Sequence, residues 1–319
     1  MNDSIFISNY EVKNERITNL YNKANSNFWN PKTDIDWSIE IDQEKIINKE
    51  LIPKNFTKYI GTPFEKWREK EWLKYNIEAK NYNISQLRHS EQAGLLFAVK
   101  LAEKVPHLES KLFASTQAID EAKHLDVFTQ YINKHIETQY TFNSVIENYL
   151  ADILNDSRWD FVYLGGQVIG EGQTLSYLST IYHTTLDPLL KQILRLILSD
   201  EARHVAFGLL SLTDEYKDLS DLEMKERQEF AYETSIKILG RLNQDEVWEK
   251  LGVNPIEAKK ISVNSTKNKI ARQISFSKIV PNCKKLGLLD RNDGWLRRRF
   301  EELEVIHFED MEILDEQSF

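Results

Sequence analysis

The sequence repeats one short polar motif inside two otherwise apolar helical stretches. Residues 120–124 read DEAKH and residues 200–204 read DEARH, an offset of 80 residues. In each copy a glutamate and a histidine stand three positions apart, so they share one face of an α-helix. Apolar residues recur at helical spacing around both copies, which predicts that these polar faces are buried. Because buried carboxylates need a partner, this repeat constrains the fold strongly.

Two upstream acids extend the repeat. Glu91 lies 30 residues before Glu121, and Glu171 lies 30 residues before Glu201. A proline stands at the middle of the first interval, and an Asp-Pro pair, typical of a helix start, lies beside the middle of the second. Antiparallel helices joined at such a turn bring residues about 15 positions, or roughly 22 Å, from it to the same level. The spacing therefore predicts two helical hairpins that pack as a four-helix bundle.

Six side chains are predicted to meet at the centre of that bundle as metal ligands. They are Glu91, Glu121, His124, Glu171, Glu201 and His204. Four uncompensated carboxylates in an apolar bundle would be prohibitively costly to bury, and two divalent cations would balance them. Carboxylate and imidazole ligands suit Fe(II) or Mn(II), and six ligands for two ions leave positions open for oxygen or water.

Four charged residues flank the predicted ligands. Asp120 and Asp200 stand next to the motif glutamates, and each aspartate is expected to accept a hydrogen bond from the histidine of the other hairpin. Lys123 and Arg203, beside the histidines, are expected to pair with these acids. Nearby residues Phe97, Phe128, Thr174 and Phe207 are candidates for a substrate pocket.

Composition excludes several other classes. The 319-residue chain carries a net charge of −9, which argues against nucleic acid or acidic membranes as main partners. One cysteine, Cys283, excludes an intrachain disulfide and a thiolate metal cage. Without a secretory signal or a membrane-length apolar run, we expect a cytoplasmic protein.

The order of segments predicts one all-α domain with appendages. An irregular N-terminal arm, 1–62, is expected to dock through Phe28, Trp29 and Trp37; a helical bundle spans 63–242, and a helical extension of the same domain spans 243–319. The predicted helices are 64–80, 83–104, 108–137, 144–184, 187–217, 224–242, 244–251, 254–270 and 292–307. The fourth is expected to break near 155–157 or 165–166. A third Glu-x-x-His, Glu304 to His307, has no upstream acid and is interpreted as a coincidence on an exposed helix.

With this motif set, the chain resembles the ferritin-like diiron-carboxylate superfamily, most of all its oxygen-activating branch of monooxygenase hydroxylases and the ribonucleotide reductase small subunit. The resemblance covers about 83–217. It implies a ferritin-like four-helix bundle with added N- and C-terminal helices, two iron ions or a Mn/Fe pair, and O2 as co-substrate. The position of the radical tyrosine of the reductase subunit is Phe128, and the extra histidine of arylamine N-oxygenases is replaced by Ile197. A threonine common in the hydroxylases is replaced by Leu175, with Thr174 beside it.

These observations favour a diiron oxygenase that hydroxylates, N-oxygenates, desaturates or cleaves a small organic molecule. A kink or π-bulge at the glycines around Glu171 would let that ligand shift. Because the chain has no flavin or iron–sulfur motif, we expect a ferredoxin, a reductase or the substrate to supply electrons, and we expect a homodimer. The alternatives are a reductase-like oxidase with a Fe/Fe or Mn/Fe centre and a non-catalytic iron-storage protein.

Overall fold

The computed structural model describes residues 4–47, 51–262 and 266–311, and within these ranges the chain contains helices and no strand. The helices are α1 (Glu15–Ser26), α2 (Gln43–Ile46), α3 (Glu69–Lys104), α4 (Leu108–His135), α5 (Ser144–Leu154), α6 (Trp159–Val162), a π-helix (Tyr163–Gly170), α7 (Glu171–Thr184), α8 (Pro188–Thr213), α9 (Asp221–Lys237), α10 (Asp245–Lys250), α11 (Pro255–Ser262), α12 (Thr266–Ser275), α13 (Ile279–Lys285) and α14 (Arg291–Glu302). The predicted all-α bundle is confirmed.

Two long hairpins form the centre of the bundle. Helices α3 and α4 pack along their length, as do α7 and α8, and the core lies between the two pairs. Asp187 starts α8, because its side chain accepts a hydrogen bond from the N–H of Leu190 at 2.9 Å. It also accepts one from the buried hydroxyl of Tyr131 at 2.5 Å, which ties the start of α8 to α4.

The predicted helix over 144–184 is broken at both expected places. Helix α5 ends at Leu154, and the chain resumes in α6 after a short turn. The predicted glycine break lies in a π-helix of eight residues, Tyr163–Gly170. This π-helix leads directly into Glu171. The wider π turn therefore sits immediately before one of the predicted ligands.

The sequence predicted an irregular N-terminal arm, but the arm contains a regular helix, α1. Asn14 caps α1 by accepting a hydrogen bond from the N–H of Arg16, and α1 packs against α4 and α8. Trp29 is buried and Trp37 is half-buried against the core, whereas Phe28 is 59% exposed. Docking through the two tryptophans agrees with the prediction, and Phe28 buries little of its surface.

The predicted helices over 64–80 and 83–104 are one helix, since no residue between them interrupts helical geometry. The predicted helix 254–270 is two, α11 and α12, and residues 263–265 lie outside the described ranges. Helix α14 ends at Glu302, and Glu304 has a left-handed φ of 58°. The third Glu-x-x-His is therefore exposed but lies outside an α-helix, with His307 in a 3-10 turn, which corrects that prediction.

The C-terminal helices cover the outer side of the π-helix and α7. Asn282 of α13 donates a hydrogen bond to the carbonyl of Val168 at 3.2 Å, and Ser277 contacts Ser176 at 3.1 Å. The C-terminal helices thus contact both the π-helix and α7. In the described part of the chain, no helix combines the length and the apolar character that crossing a membrane requires.

Candidate metal centre

The structure brings the six predicted ligands together at the middle of the bundle. Their donor atoms form two groups, each within 4.8 Å, which share two glutamates, Glu121 and Glu201. One group adds Glu91 and His124, and the other adds Glu171 and His204. The two-fold sequence repeat therefore becomes two neighbouring sites with two carboxylates in common.

The surrounding charge fits two divalent cations. All six side chains are at most 7% exposed. Asp120 and Asp200 add two buried acids, and Lys123 and Arg203 supply two buried cations beside them. With neutral imidazoles, four negative charges remain, which two divalent ions would cancel. Such a cluster is otherwise expensive to remove from water.

Both histidines are oriented by an aspartate of the opposite hairpin, as the sequence predicts. His124 Nε2 lies 3.0 Å from Asp200 Oδ2, and His204 Nε2 lies 3.4 Å from Asp120 Oδ2. Donation from each Nε2–H leaves Nδ1 as the lone-pair nitrogen, and Nδ1 faces the carboxylates in both cases. The aspartates therefore select the tautomer that a metal ligand needs.

The two buried cations hold these aspartates. Lys123 Nζ lies 2.8 Å from Asp120 and 3.6 Å from Asp200. Arg203 forms an ion pair with Asp200 and lies 3.7 Å from Asp120. Each cation thus bridges the two hairpins, and each aspartate is fixed by charge on one side and by an imidazole on the other.

Several donor atoms at the centre lack hydrogen bonds. Within the described residues, Glu91 Oε1, both carboxylate oxygens of Glu201 and His204 Nδ1 are buried and have no hydrogen-bond partner. Buried polar atoms are nearly always satisfied in proteins, so unsatisfied atoms that point at one place indicate a bound group. The donor set matches what iron or manganese takes, and the residues present therefore fit a dinuclear metal centre.

The ionisation of the cluster agrees with this conclusion. Burial, reinforced by the neighbouring carboxylates, raises the pKa of Glu91 to about 8 and raises the pKa of Glu171 well above its usual value. Burial alone would raise the pKa of Glu121, but the close imidazoles of His124 and His204 hold this pKa well below its usual range. Burial alone would lower the pKa of His124, but the surrounding carboxylates raise it well above 6.5. Without metal ions, the raised pKa values of Glu91, Glu171 and His124 show that the cluster favours binding of protons.

A tryptophan of the N-terminal arm completes one side of the centre. Trp29 Nε1 donates to Asp200 Oδ2 at 2.8 Å, and its indole stacks on His124 with ring centroids 6.2 Å apart. The Lys123 ammonium lies 4.6 Å from the centre of the same indole ring. The sequence predicted that Trp29 docks, but nothing in the sequence indicated this contact across 171 residues.

A glutamine next to the centre was also missed. Gln117 is buried one helical turn before Glu121, and its Nε2 donates to Glu121 Oε1 at 3.2 Å. The signal available in the sequence was a polar residue on the same helix face as the motif.

One face of the centre opens onto a small cavity of about 40 Å³. Its wall contains Glu171, and two of the four predicted pocket residues, Phe97 and Thr174, line it. The other two correct the prediction: Phe207 packs instead against Phe113 and Tyr163, at 4.5 and 5.1 Å between ring centroids, and Phe128 is fully buried away from the cavity. Helix facing, which spacing alone does not fix, accounts for both.

The fold and the site define an oxygen-activating protein of the diiron-carboxylate class. A family model described as p-aminobenzoate N-oxygenase AurF matches residues 11–287, and the chain belongs to that family. Membership confirms the predicted oxygen-dependent oxidoreductase with a dinuclear iron cofactor. The chain belongs to this family although buried Ile197 of α8 stands at the position of the extra histidine of arylamine N-oxygenases. No curated protein sequence is significantly similar to the chain.

Solved structures share the fold. An R2-like ligand-binding oxidase with an aerobically reconstituted metal cofactor after photoconversion aligns with a TM-score of 0.56 and 18% identity, over 84% of this chain and 92% of that chain. A single-residue mutant of such an oxidase with an aerobically reconstituted Mn/Fe cofactor aligns with the same TM-score and identity, over 84% and 93%. At this identity the likeness shows the fold.

Close packing at Gly94 yields a prediction about the centre. A Cβ at this position would lie 2.5 Å from Glu121 Oε2, so the glycine makes room for that carboxylate. We expect Gly94→Ala to displace Glu121 and to reduce bound iron well below two per chain, measured by metal analysis after anaerobic reconstitution.

Gly240→Ala is the matched control, because its Cβ would meet nothing closer than 3.4 Å. It should bind iron as the unmodified chain does, with equal helical content by circular dichroism in both variants. Full iron binding by Gly94→Ala would contradict the assignment of Glu121 to the centre.

Proposed function

We propose that the protein N-oxygenates a small aromatic amine, with O2 as oxidant. The observation that carries this is the buried six-residue cluster that opens onto a mainly apolar cavity at Glu171. The family description, which names an N-oxygenase acting on p-aminobenzoate, supports the substrate class. An apolar wall suits an aromatic ring, and the carboxylate side suits a polar amino group.

In this proposal the six cluster residues hold two iron ions, with Glu121 and Glu201 shared between them. When bound, the ions supply the redox chemistry by which O2 is reduced. Asp120 and Asp200 keep the imidazoles in the required tautomer, and Lys123 and Arg203 balance the aspartates. Phe97 and Thr174 contact the substrate in the cavity.

Admission of substrate requires the cavity to widen. Its volume of about 40 Å³ is small beside the roughly 300–1,000 Å³ of typical ligand sites. The π-helix supplies two wall residues, Gly166 and Gly170, and runs directly into Glu171. We infer that repacking of this turn enlarges the cavity and shifts Glu171, since π turns accommodate local rearrangement more readily than α-helix.

The electron source is outside the chain in this proposal, and a ferredoxin or a flavin reductase is the expected class. The buried, unpaired thiol of Cys283 fits a reducing compartment, so we place the protein in the cytoplasm.

A reductase-like oxidase with a Mn/Fe centre is the second candidate, favoured by the shared fold with the R2-like ligand-binding oxidases. Fully buried Phe128, at the radical-tyrosine position, argues against radical storage. Metal analysis after reconstitution with both ions separates the candidates: retention of equal manganese and iron, without amine oxidation, would favour the oxidase.

The iron-loaded chain with O2 and a chemical reductant should convert p-aminobenzoate or a related arylamine to its hydroxylamine or nitro product, detected by mass spectrometry with ¹⁸O2. Glu121→Ala and His204→Ala should each abolish bound iron and product, since each removes a donor from the cluster.

His307→Ala is the matched control, because it alters the exposed third Glu-x-x-His and should leave iron and product unchanged. Iron-loaded protein that consumes O2 but oxidises no arylamine would contradict the substrate class. Two tightly bound irons in the Glu121→Ala, His204→Ala double variant would contradict the site.

The outer face of the first hairpin supports the proposed homodimer. Leu96 and Val99 of α3 are 51% and 53% exposed, and Leu112 and Ile119 of α4 are 40% and 53% exposed. Four large apolar side chains on one two-helix surface are typical of a subunit interface.

We therefore expect sedimentation to give twice the chain mass of 37.5 kDa. Leu96→Asp combined with Ile119→Asp should give monomers, because the charges would be buried without partners. Leu222→Asp, at a position 81% exposed elsewhere, is the control and should remain dimeric. A monomeric unmodified chain would reject the dimer.

A further inference from the structure

A second cavity lies at the end of the bundle where α3 turns into α4. Its volume is about 190 Å³, and its wall combines the N-terminal arm with the start of α4, the start of the π-helix and the end of α8. Its wall includes apolar side chains but carries more charged groups than the cavity at Glu171, namely three acids and a lysine. Glu109, Ser110, Tyr163 and Ser211 form its inner part.

Polar atoms of this inner part are buried without partners. Glu109 Oε1 accepts backbone hydrogen bonds from Lys13 and Asn14 at 3.3 and 2.9 Å, but Glu109 Oε2 has no hydrogen bond within the described residues. The same holds for the Tyr163 hydroxyl and the Ser211 Oγ. Tyr163, Ser110 and Ser211 line the same cavity, and burial raises the pKa of the Tyr163 hydroxyl.

Polar residues recur along α4 between this cavity and the metal centre. On α4, Gln117 stands between Ser110 and Glu121, seven residues from one and four from the other. Positions seven and eleven apart lie near one face of an α-helix, so the three share a side of α4. At about 1.5 Å per residue, the cavity end and Glu121 are roughly 16 Å apart.

The second hairpin repeats the pattern. Gln167 stands four residues after Tyr163 and four before Glu171, and Gly208 stands between His204 and Ser211 on α8. A Cβ at Gly208 would lie 2.7 Å from Gln167 Cβ, so the glycine makes room for that glutamine between the helices. The middle level of the bundle therefore holds two glutamines, one from each hairpin.

Both glutamines are fully buried and under-bonded. Neither Gln167 Oε1 nor Gln167 Nε2 has a hydrogen-bond partner in the described chain, and Gln117 Oε1 also lacks one. Ordered water is the usual partner of such groups. Phe113 and Phe207 pack together at 4.5 Å beside this level and leave little room for bulk solvent. Single waters at these amides would supply the missing hydrogen bonds.

The proposed reaction needs protons where the apolar cavity provides no path. Oxidation of an arylamine to its hydroxylamine converts RNH2, O2, two electrons and two protons to RNHOH and H2O. One oxygen atom enters the N–O bond, the other leaves as water, and an external one-electron donor of the ferredoxin class supplies the electrons in two steps. The two protons must reach the released oxygen atom from solvent.

We propose that Ser211, Tyr163, Gln167 and Gln117, called here the glutamine column, form this proton route. This proposal rests on the proposed function. Protons enter at the cavity beside Glu109, pass along the hydroxyls of Ser211 and Tyr163, and continue through waters held by Gln167 and Gln117. Gln117 ends the route, since its amide donates to Glu121 Oε1. Proton entry and substrate entry thus use different sides of the bundle.

The first test is a high-resolution crystal structure of the full, metal-free chain. Ordered waters should bridge the Tyr163 hydroxyl, Gln167 and Gln117 Oε1. A dry column with these atoms unpaired, or paired only with one another, would overturn the route whatever the enzyme oxidises.

The second test uses Tyr163→Phe and Gln167→Leu in the iron-loaded enzyme. Each should slow O2-dependent turnover by about tenfold or more and enlarge the solvent deuterium isotope effect, because proton transfer becomes limiting. Bound iron should stay at two per chain. Tyr216→Phe and Gln173→Leu are matched controls, because each removes a buried polar group without a hydrogen bond among the described residues, and neither residue lines the second cavity. Both should leave the rate and the isotope effect unchanged.

Wild-type rates and isotope effects in both column variants would overturn the proposal, even if the arylamine assay succeeds. If Gln167→Leu folds poorly by thermal melting, Tyr163→Phe, which removes one oxygen atom only, decides alone. Because O2 consumption is followed independently of product, failure of the substrate class and failure of the route give different results.

Discussion

Compensation of buried negative charge is the constraint on which this structure depends. Six carboxylates lie in the middle of an apolar bundle, and in the part of the chain that the structure describes two cations, Lys123 and Arg203, form ion pairs with them. No packing of apolar side chains could offset that charge, so the fold is stable with metal ions or with protons in their place. The two aspartates extend the compensation outward by joining each imidazole to a cation of the opposite hairpin. The ion pairs between the two hairpins and the compensation of the buried charge therefore involve the same residues.

The same centre meets two kinds of surroundings. Toward Glu171 the wall is apolar, belongs partly to a π-helix and suits an organic ring. Toward the end of the bundle the surroundings are buried hydroxyls and amides. Separation of this sort lets an oxygenase exclude water from the substrate while protons still arrive. Asn282 donates a hydrogen bond to a carbonyl of the π-helix, which links the C-terminal helices to the segment that leads into Glu171.

The sequence predicted the fold class and the clustering of the six central residues because helix geometry is rigid. A fixed rise per residue converts equal spacing into equal height, so Glu91 and Glu121 had to meet if a turn lay between them. It could not predict the contact of Trp29 with Asp200, which depends on how the arm crosses the bundle. Nor could it orient Phe128 and Phe207, since a rotation of a few tens of degrees decides which side of a helix faces a cavity. The division of the helices after 253 was partly wrong for a related reason: short segments held by tertiary packing carry weak periodicity.

The central claim is that Glu121 and Glu201 are shared by two metal ions. A crystal structure of the chain loaded anaerobically with Fe(II), with anomalous scattering recorded at the iron edge, tests it most directly. The account predicts two iron peaks per chain, one beside Glu91 and His124 and the other beside Glu171 and His204, with the shared glutamates between them. A single peak, or peaks away from these residues, would contradict it.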